Sequence, residues 1–323
     1  MAKATMIEAI RAAIDHEMDR DENVYCIGED IAVMGGSFGV TKGLLDKYGK
    51  NRVIDTPISE QMIIGSSVSA AITGMRPVAE LMFADFILIS FDQIANQAAK
   101  ARYFNGGKIS VPMVVRLPGG CPKGAAGHHS QNLEALVAHI PGLKVVYPST
   151  PQEAYGLMLS SIRDDNPVMF FEHKRLYREK GEFEDNGIAI PIGVADVKKE
   201  GKDVTVVATG RMVHVALSAS KQLAEEGIDI EVVDPRSLFP LDKETIFKSV
   251  AKTGKVVIIT EENKRGAWSG ELASILAEEK FDLLKKPIMR IGSLNTPVPF
   301  TANLEDYILP HEGDVVKAVK AIY

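Results

Sequence analysis

Cysteine is scarce in this chain, with only Cys26 and Cys121 among 323 residues. Neither has a second cysteine or a histidine at ligand spacing, which excludes a disulfide framework and a Cys/His zinc centre. Cys26 lies in the apolar run Val24–Ile27 and reads as a buried small hydrophobe. Cys121 lies in a Gly/Pro loop, where exposure is expected. Two isolated thiols point to a reducing compartment, the cytoplasm. No apolar run approaches the ~18 residues of a membrane span, and the first residues, Met1 to Glu8, lack the apolar core of a signal peptide. Excess positive charge is missing as well. A net charge of −6 and a pI near 5.7 argue against nucleic acid or an anionic membrane as the main partner. There is no P-loop ending, no dinucleotide fingerprint in strand-turn-helix context, no nucleophile elbow, no Ser/His/Asp order and no zincin motif. Internal repeats and low-complexity tracts are absent too.

What is present is an ordinary globular composition, 46% hydrophobic and 25% charged. The length exceeds one typical core, so two domains are expected. Thr5 and Glu8 form a capping box that opens a helix through about Met18. Strand candidates follow at Val24–Gly28, Arg52–Ile54, Val78–Met82, Val111–Leu117, Leu143–Tyr147 and Val168–Glu172. Helices are predicted over Ile63–Thr73, Ile89–Tyr103 and Pro151–Arg163, the last with Ser149 or Thr150 as N-cap and Pro151 in its first turn. Residues Lys174 to Ile190, rich in charge and glycine, read as a linker. Alternation resumes with Val204–Ala208, a helix Val213–Glu226, Ile230–Val233, a helix Lys243–Lys252, Val256–Thr260 and a helix from Gly270, and a last helix runs through Val316–Ile322. Such alternation defines an α/β protein of two domains. Residues 1–185 would form a doubly wound parallel sheet and 186–323 a second α/β unit.

The chemistry is expected at the carboxyl ends of the strands, where open α/β sheets place ligands. Arg52-Val-Ile-Asp55 is a short strand that Thr56 and Pro57 stop, which leaves Glu60 in the strand-to-helix turn. There it either caps the helix through the macrodipole or serves a ligand. Glu80-Leu-Met-Phe-Ala-Asp-Phe86 runs from a strand into aromatic residues. Met82 and Phe86 are either core or an apolar wall and a ring face for a flat heterocycle. The loop Leu117–Gln131 is built from small residues and ends in His128 and His129. Its glycines imply mobility or close backbone approach, and its histidines suit proton transfer. Acids Glu29, Asp30 and Asp92 lie near the same strand ends.

Taken in order, several motifs together resemble a family. They are Gly28-Glu-Asp30, Asp55-Thr-Pro-Ile-Ser-Glu60, Gly74-Met-Arg-Pro77, Phe91-Asp-Gln93, His129-Ser-Gln131, His139-Ile-Pro-Gly-Leu-Lys-Val-Val146 and Arg163-Asp-Asp-Asn-Pro167, followed by Asp234-Pro-Arg-Ser237 and Thr296-Pro-Val-Pro-Phe300. The chain resembles the β subunits of the thiamin-diphosphate-dependent first component of 2-oxo-acid and acetoin dehydrogenase complexes. The resemblance implies a transketolase-like fold, with a pyrimidine-binding domain followed by a C-terminal domain for assembly and acyltransferase docking. Glu60 matches the glutamate that hydrogen-bonds N1′ of the aminopyrimidine, a task that needs a carboxyl group in apolar surroundings. Phe86 matches the stacking aromatic and Met82 lies in the matching wall. His129 matches the loop histidine that assists proton transfer and passage of the acyl group to a lipoyl carrier, whereas His128 has no assigned role. Backbone carbonyls at Met113, Ser161, Ile162, Asp164 and Asn166 match those that hold a monovalent cation such as K+. Glu29 and Asp92 resemble acids of a solvent channel between paired sites.

The family's Mg2+–diphosphate motif, Gly-Asp-Gly with a downstream Asn, is absent. The resemblance therefore implies that an α subunit supplies Mg2+ and the diphosphate half-site, in an α2β2 heterotetramer that serves a lipoyl-bearing dihydrolipoamide acyltransferase. Glu80-Leu-Met-Phe83, Asn96-Gln-Ala-Ala-Lys100, Phe171-Glu-His-Lys174 and Asn295–Phe300 look most like the acetoin dehydrogenase branch. Pyruvate and branched-chain 2-oxo acids are the alternative substrates. A self-sufficient transketolase-type enzyme would need the missing motif, and a non-catalytic scaffold subunit would make Glu60 and His129 dispensable.

Overall fold

A computed structural model describes residues 2–323. Its strands in chain order are β1 (Ala2–Thr5), β2 (Val24–Gly28), β3 (Val53–Asp55), β4 (Arg76–Glu80), β5 (Val114–Gly119), β6 (Lys144–Val146), β7 (Val168–His173), β8 (Lys180–Phe183), β9 (Asp196–Lys199), β10 (Val204–Ala208), β11 (Ile230–Asp234), β12 (Ser237–Phe239), β13 (Val256–Asn263) and β14 (Met289–Ser293). A seven-stranded sheet has the order β12-β6-β7-β5-β4-β2-β3 and a five-stranded sheet the order β14-β13-β10-β11-β9. Only the edge strands β12 and β9 run antiparallel to their neighbours in these sheets. Strands β2, β5 and β7 are buried along their whole length, and β4 from Pro77 on, as expected for a sheet covered on both faces by helices.

The first helix, Met6–Arg20, opens on the Thr5/Glu8 capping box, and helix Pro151–Arg163 on a second box made by Thr150 and Glu153. In each, the threonine hydroxyl and the glutamate satisfy backbone N–H groups that a helix start leaves unpaired. Within 174–190 the chain is not simply a linker: β8 pairs antiparallel with β1. The predicted helix Ile89–Tyr103 instead has a 3-10 turn at Ala84–Leu88, a π-helical segment Gln93–Ala98 and an α-helix Ala99–Phe104. The widened turn lies where Gly65, on the facing helix, leaves room for the Gln93 side chain, 3.3 Å from an added Cβ.

The two sheets are not independent. Strand β12, far along the chain, extends the first sheet at β6, and Trp268 Nε1 donates to the Leu238 carbonyl at 3.3 Å. One apolar core runs from Ile63, Leu81 and Val115 through Leu143 and Leu238 to Val207, Trp268 and Leu272. The final helix, Glu312–Ile322, buries Val315, Val319 and Ile322 against helix Arg211–Glu225 in the second core, while Val316 is partly buried and Tyr323 is exposed. Among the described residues no helix is long and apolar enough to cross a membrane.

Candidate active site

Parallel register brings several strand ends to one edge. Gly28 pairs with both Asp55 and Glu80, Glu80 with Arg116, and Gly119 with His173. The loops after β2, β3, β4, β5 and β7 therefore leave the sheet side by side. Two bonds staple the first pair: Ala32 N donates to Asp55 Oδ1 at 2.6 Å and Thr56 N to the Gly28 carbonyl at 3.0 Å. Glu60 follows as the first residue of helix Glu60–Ile72, only 7% exposed. Among the described residues no hydrogen bond reaches its carboxylate. Buried polar groups are ordinarily paired, so this carboxyl group is free to meet a ligand atom. The hydroxyl of Thr56, in the same turn, is also buried and unpartnered. Glu29 lies near enough that burial first, then the charges of Asp30 and Glu60, raise its carboxyl above the usual range.

Beyond β4 the chain forms an aromatic cluster. Phe86 meets Phe83 edge-on at 5.7 Å between centroids and His129 at 5.6 Å, and Phe83 meets His129 at 4.5 Å. Met82, Phe83, Phe86 and His129 are all half-buried. Edge-to-face contacts of this kind hold the three rings at fixed angles to one another. Lys174, at the end of β7, donates from Nζ to the His129 carbonyl and lies 5.0 Å from the centre of Phe83. Its burial pulls the ammonium down to about 8. Phe83 and Lys174 had no site role in the sequence reading, where they stand within the Glu80–Phe83 and Phe171–Lys174 motifs of the acetoin branch.

Beneath the cluster, Arg116 is 1% exposed between two acids. It makes a bidentate pair with Glu172 at 2.7 Å for each bond and donates Nη1 to Glu80, while Tyr177 donates to Glu172 at 2.6 Å. This network locks the ends of β4, β5 and β7 together.

The loop Gly119–Gln131 is not mobile glycine chain but a pinned one. Asp85 accepts from Gln131 N at 3.2 Å and from Gln131 Nε2 at 2.9 Å. Two acids of the second domain reach it: Glu261 accepts from Cys121 N, and Glu305 from Lys123 N and Gly124 N. Gly120 at φ 75° passes so near His173 that a Cβ would lie 2.3 Å from its ring. Close approach, not freedom, explains that glycine. Cys121, expected to be exposed, is instead buried at 1%, because Ile308 and Leu309 of the second domain cover it. His128 is exposed.

The remaining expected positions are spread more widely. Asp92 is exposed and accepts from Asn96 Nδ2 at 2.7 Å. The Met113 carbonyl accepts from Val168 N at 2.9 Å, and those of Ile162 and Asp164 accept from Arg76 Nη1 at 3.0 and 3.1 Å. Ser161 is buried, its hydroxyl on the Leu157 carbonyl, and Asn166 binds the Asp164 carboxylate.

A parallel sheet whose strand-end loops carry a buried acid, Glu60, and an aromatic cluster fits a transketolase-type α/β chain. The sequence matches the transketolase pyrimidine-binding domain over residues 2–180 and the transketolase C-terminal domain over 193–315. A split-gene transketolase, described as an inactive β4 tetramer, superimposes with a TM-score of 0.83 at 25% identity over 98% of each chain. The acetoin:2,6-dichlorophenolindophenol oxidoreductase subunit beta of Bacillus subtilis is 49% identical over 97% of this chain and 95% of its own. The 2-oxoisovalerate dehydrogenase subunit beta of the same organism is 44% identical, covering 100% and 99%. The pyruvate dehydrogenase E1 component subunit beta of Rickettsia felis is 43% identical, covering 98% of both chains. The chain belongs to the family of β subunits of the thiamin-diphosphate-dependent dehydrogenase components.

Proposed function

We propose that this chain is the β half of a dehydrogenase component that cleaves acetoin and passes the acyl group to a lipoyl carrier. The observation that carries the proposal is the Glu60 carboxyl group, buried at a strand end and without a hydrogen-bond partner among the described residues. Thiamin diphosphate, when bound, supplies the electron sink for cleaving a bond beside a carbonyl. The residues present suit its aminopyrimidine end. Glu60 offers a carboxyl group able to share a proton with a ring nitrogen. Phe86 offers an aromatic ring held at a fixed angle by Phe83 and His129, and Met82 an apolar wall. His129, in contact with both phenylalanines, can hold or move a proton at the reacting carbon or at the lipoyl sulfur.

The sequence lacks a Mg2+–diphosphate motif, which supports an α subunit holding that end in an α2β2 heterotetramer, with a dihydrolipoamide acyltransferase as acceptor. The same reading gives K+ the carbonyls of Met113, Ser161, Ile162, Asp164 and Asn166. Each carbonyl has a second lone pair, although the Arg76 guanidinium already occupies one side of two of them. Acetoin is favoured by the 49% relative. A 2-oxo acid is the second reading, favoured by Lys174, whose cation beside the aromatic cluster complements a carboxylate.

Two experiments test this. Calorimetry with Mg2+ and thiamin diphosphate should give tight binding only after the α subunit is added, and micromolar binding to the isolated chain would refute the shared site. Screening the assembled enzyme with a dye acceptor should then rank acetoin above pyruvate and branched-chain 2-oxo acids.

A further inference from the structure

We propose that the second domain sets the position of His129 through Glu305, which makes Glu305 a positioning residue for acyl transfer. The proposal rests on the reading of His129 given above. Glu305 lies in helix Ala302–Ile308, is fully buried, and points its carboxylate across the domain boundary. It accepts from two successive amides, Lys123 N at 2.8 Å and Gly124 N at 2.7 Å, and from Arg175 Nη2 at 2.9 Å.

Both amides belong to residues in the left-handed region, Lys123 at φ 86° and Gly124 at φ 85°. A lysine resists that conformation, so something must hold it there. Charge-assisted bonds from both N–H groups to one carboxylate do so. Arg175 then closes a circuit, because the residue before it, Lys174, donates to the His129 carbonyl. Glu305, Arg175 and Lys174 thus clamp the start and the end of one loop. Ile308, three residues along the same helix, packs on Cys121, which adds an apolar contact to the polar one. Glu261 makes a second hold at Cys121 N, but it also binds His173 at 3.0 Å and approaches Arg211 at 3.4 Å. Among the described residues the Glu305 carboxylate bonds only to the loop amides and Arg175, so its removal is the cleaner perturbation.

The consequence is that helix 302–308 is part of the catalytic apparatus at one remove. A loop released from Glu305 leaves His129 able to stray by an ångström or more, which costs roughly 10- to 100-fold in a step that depends on its position. Thiamin diphosphate binding draws on Glu60 and on Phe86, whose contact with Phe83 does not pass through the loop, so it should change far less than transfer.

The test uses the chain assembled with its α subunit and a lipoyl domain as acceptor, with single-turnover acyl transfer as readout. Glu305→Gln should slow transfer about tenfold or more, leave the thiamin diphosphate Kd within twofold, and speed amide hydrogen exchange at Lys123 and Gly124. In a His129→Ala background the same change should cost less than twofold, since the residue acts through the histidine. Gly124→Ala, strained at its positive φ, should reproduce the loss from the loop side, which keeps the test valid if Glu305→Gln fails to assemble. A Glu305→Gln loss that is undiminished in the His129→Ala background overturns the proposal, as does faster exchange with normal transfer. Normal transfer in His129→Ala alone would instead overturn the reading of the histidine.

Discussion

Replacing Arg116 with methionine would leave two acids buried without their cation. Arg116 is 1% exposed, Glu172 is fully buried and Glu80 is 4% exposed. Burial already pushes the Glu80 carboxyl above its usual range, with Arg116 pulling against that push. Removing one member of a buried ion pair typically costs 3–5 kcal/mol, about the same as a large core truncation. A bidentate pair with Glu172 plus the bond to Glu80 places this case at the upper end, about 5 kcal/mol. The cost falls on β4, β5 and β7 together, so the strand ends carrying Met82, the Gly119–Gln131 loop and Lys174 should lose register. Urea unfolding of the purified chain measures it, as a drop in midpoint at constant slope. The triple variant Arg116→Met, Glu80→Leu, Glu172→Met should recover most of the loss, because packed apolar groups can replace a buried ionic set. An Arg116→Met chain within about 1 kcal/mol of the parent would refute the claim that uncompensated charge sets the cost.

Other expectations follow from the same contacts. Burial raises the Glu262 carboxyl to about 7, even though Ala135 N and Trp268 N donate to it. A raised acid stabilises the fold fully below its unfolded value and loses that contribution as pH climbs through the folded one. Stability should therefore fall between about pH 4 and 7, by at most about 3 kcal/mol from this group. Glu262→Gln should flatten the fall in a urea series, and an unchanged pH slope would contradict the assignment. Deleting the last ten residues should unfold the second domain, since Val315, Val319 and Ile322 each contribute about 1.5–3 kcal/mol of burial. A deleted chain with an unaltered melting curve would show that this stripe is dispensable.

The end of the chain was legible as a helix, but its partner was not: it packs on the chain's own helix Arg211–Glu225, and Tyr323 is exposed. Local signals were read well where the physics is local. The Thr5/Glu8 box, an N-cap at Ser149 or Thr150, the alternation of strands and helices and Glu60 at a strand end all depend on neighbours within a few residues. Contacts between distant segments were invisible. Glu305 meets Lys123 across 182 positions, Glu261 meets Cys121 across 140, and β12 leaves its own domain to extend the first sheet. Cys121 was misread for the same reason, its cover coming from Ile308 and Leu309. Lys174 was read both as the start of a linker and as part of the Phe171–Lys174 motif, and neither reading showed its ammonium on the His129 carbonyl.

Glu60→Gln, assembled with the α subunit, tests the central assignment most directly through hydrogen–deuterium exchange at C2 of bound thiamin diphosphate. Glutamine keeps the shape but cannot take up or release the proton. Exchange should slow by ~10²-fold or more, the range of general acid–base assistance, while the far-UV spectrum and melting curve stay those of the parent. Exchange at the parent rate in a folded, assembled Glu60→Gln enzyme would show that this carboxyl group is not the proton partner of the cofactor.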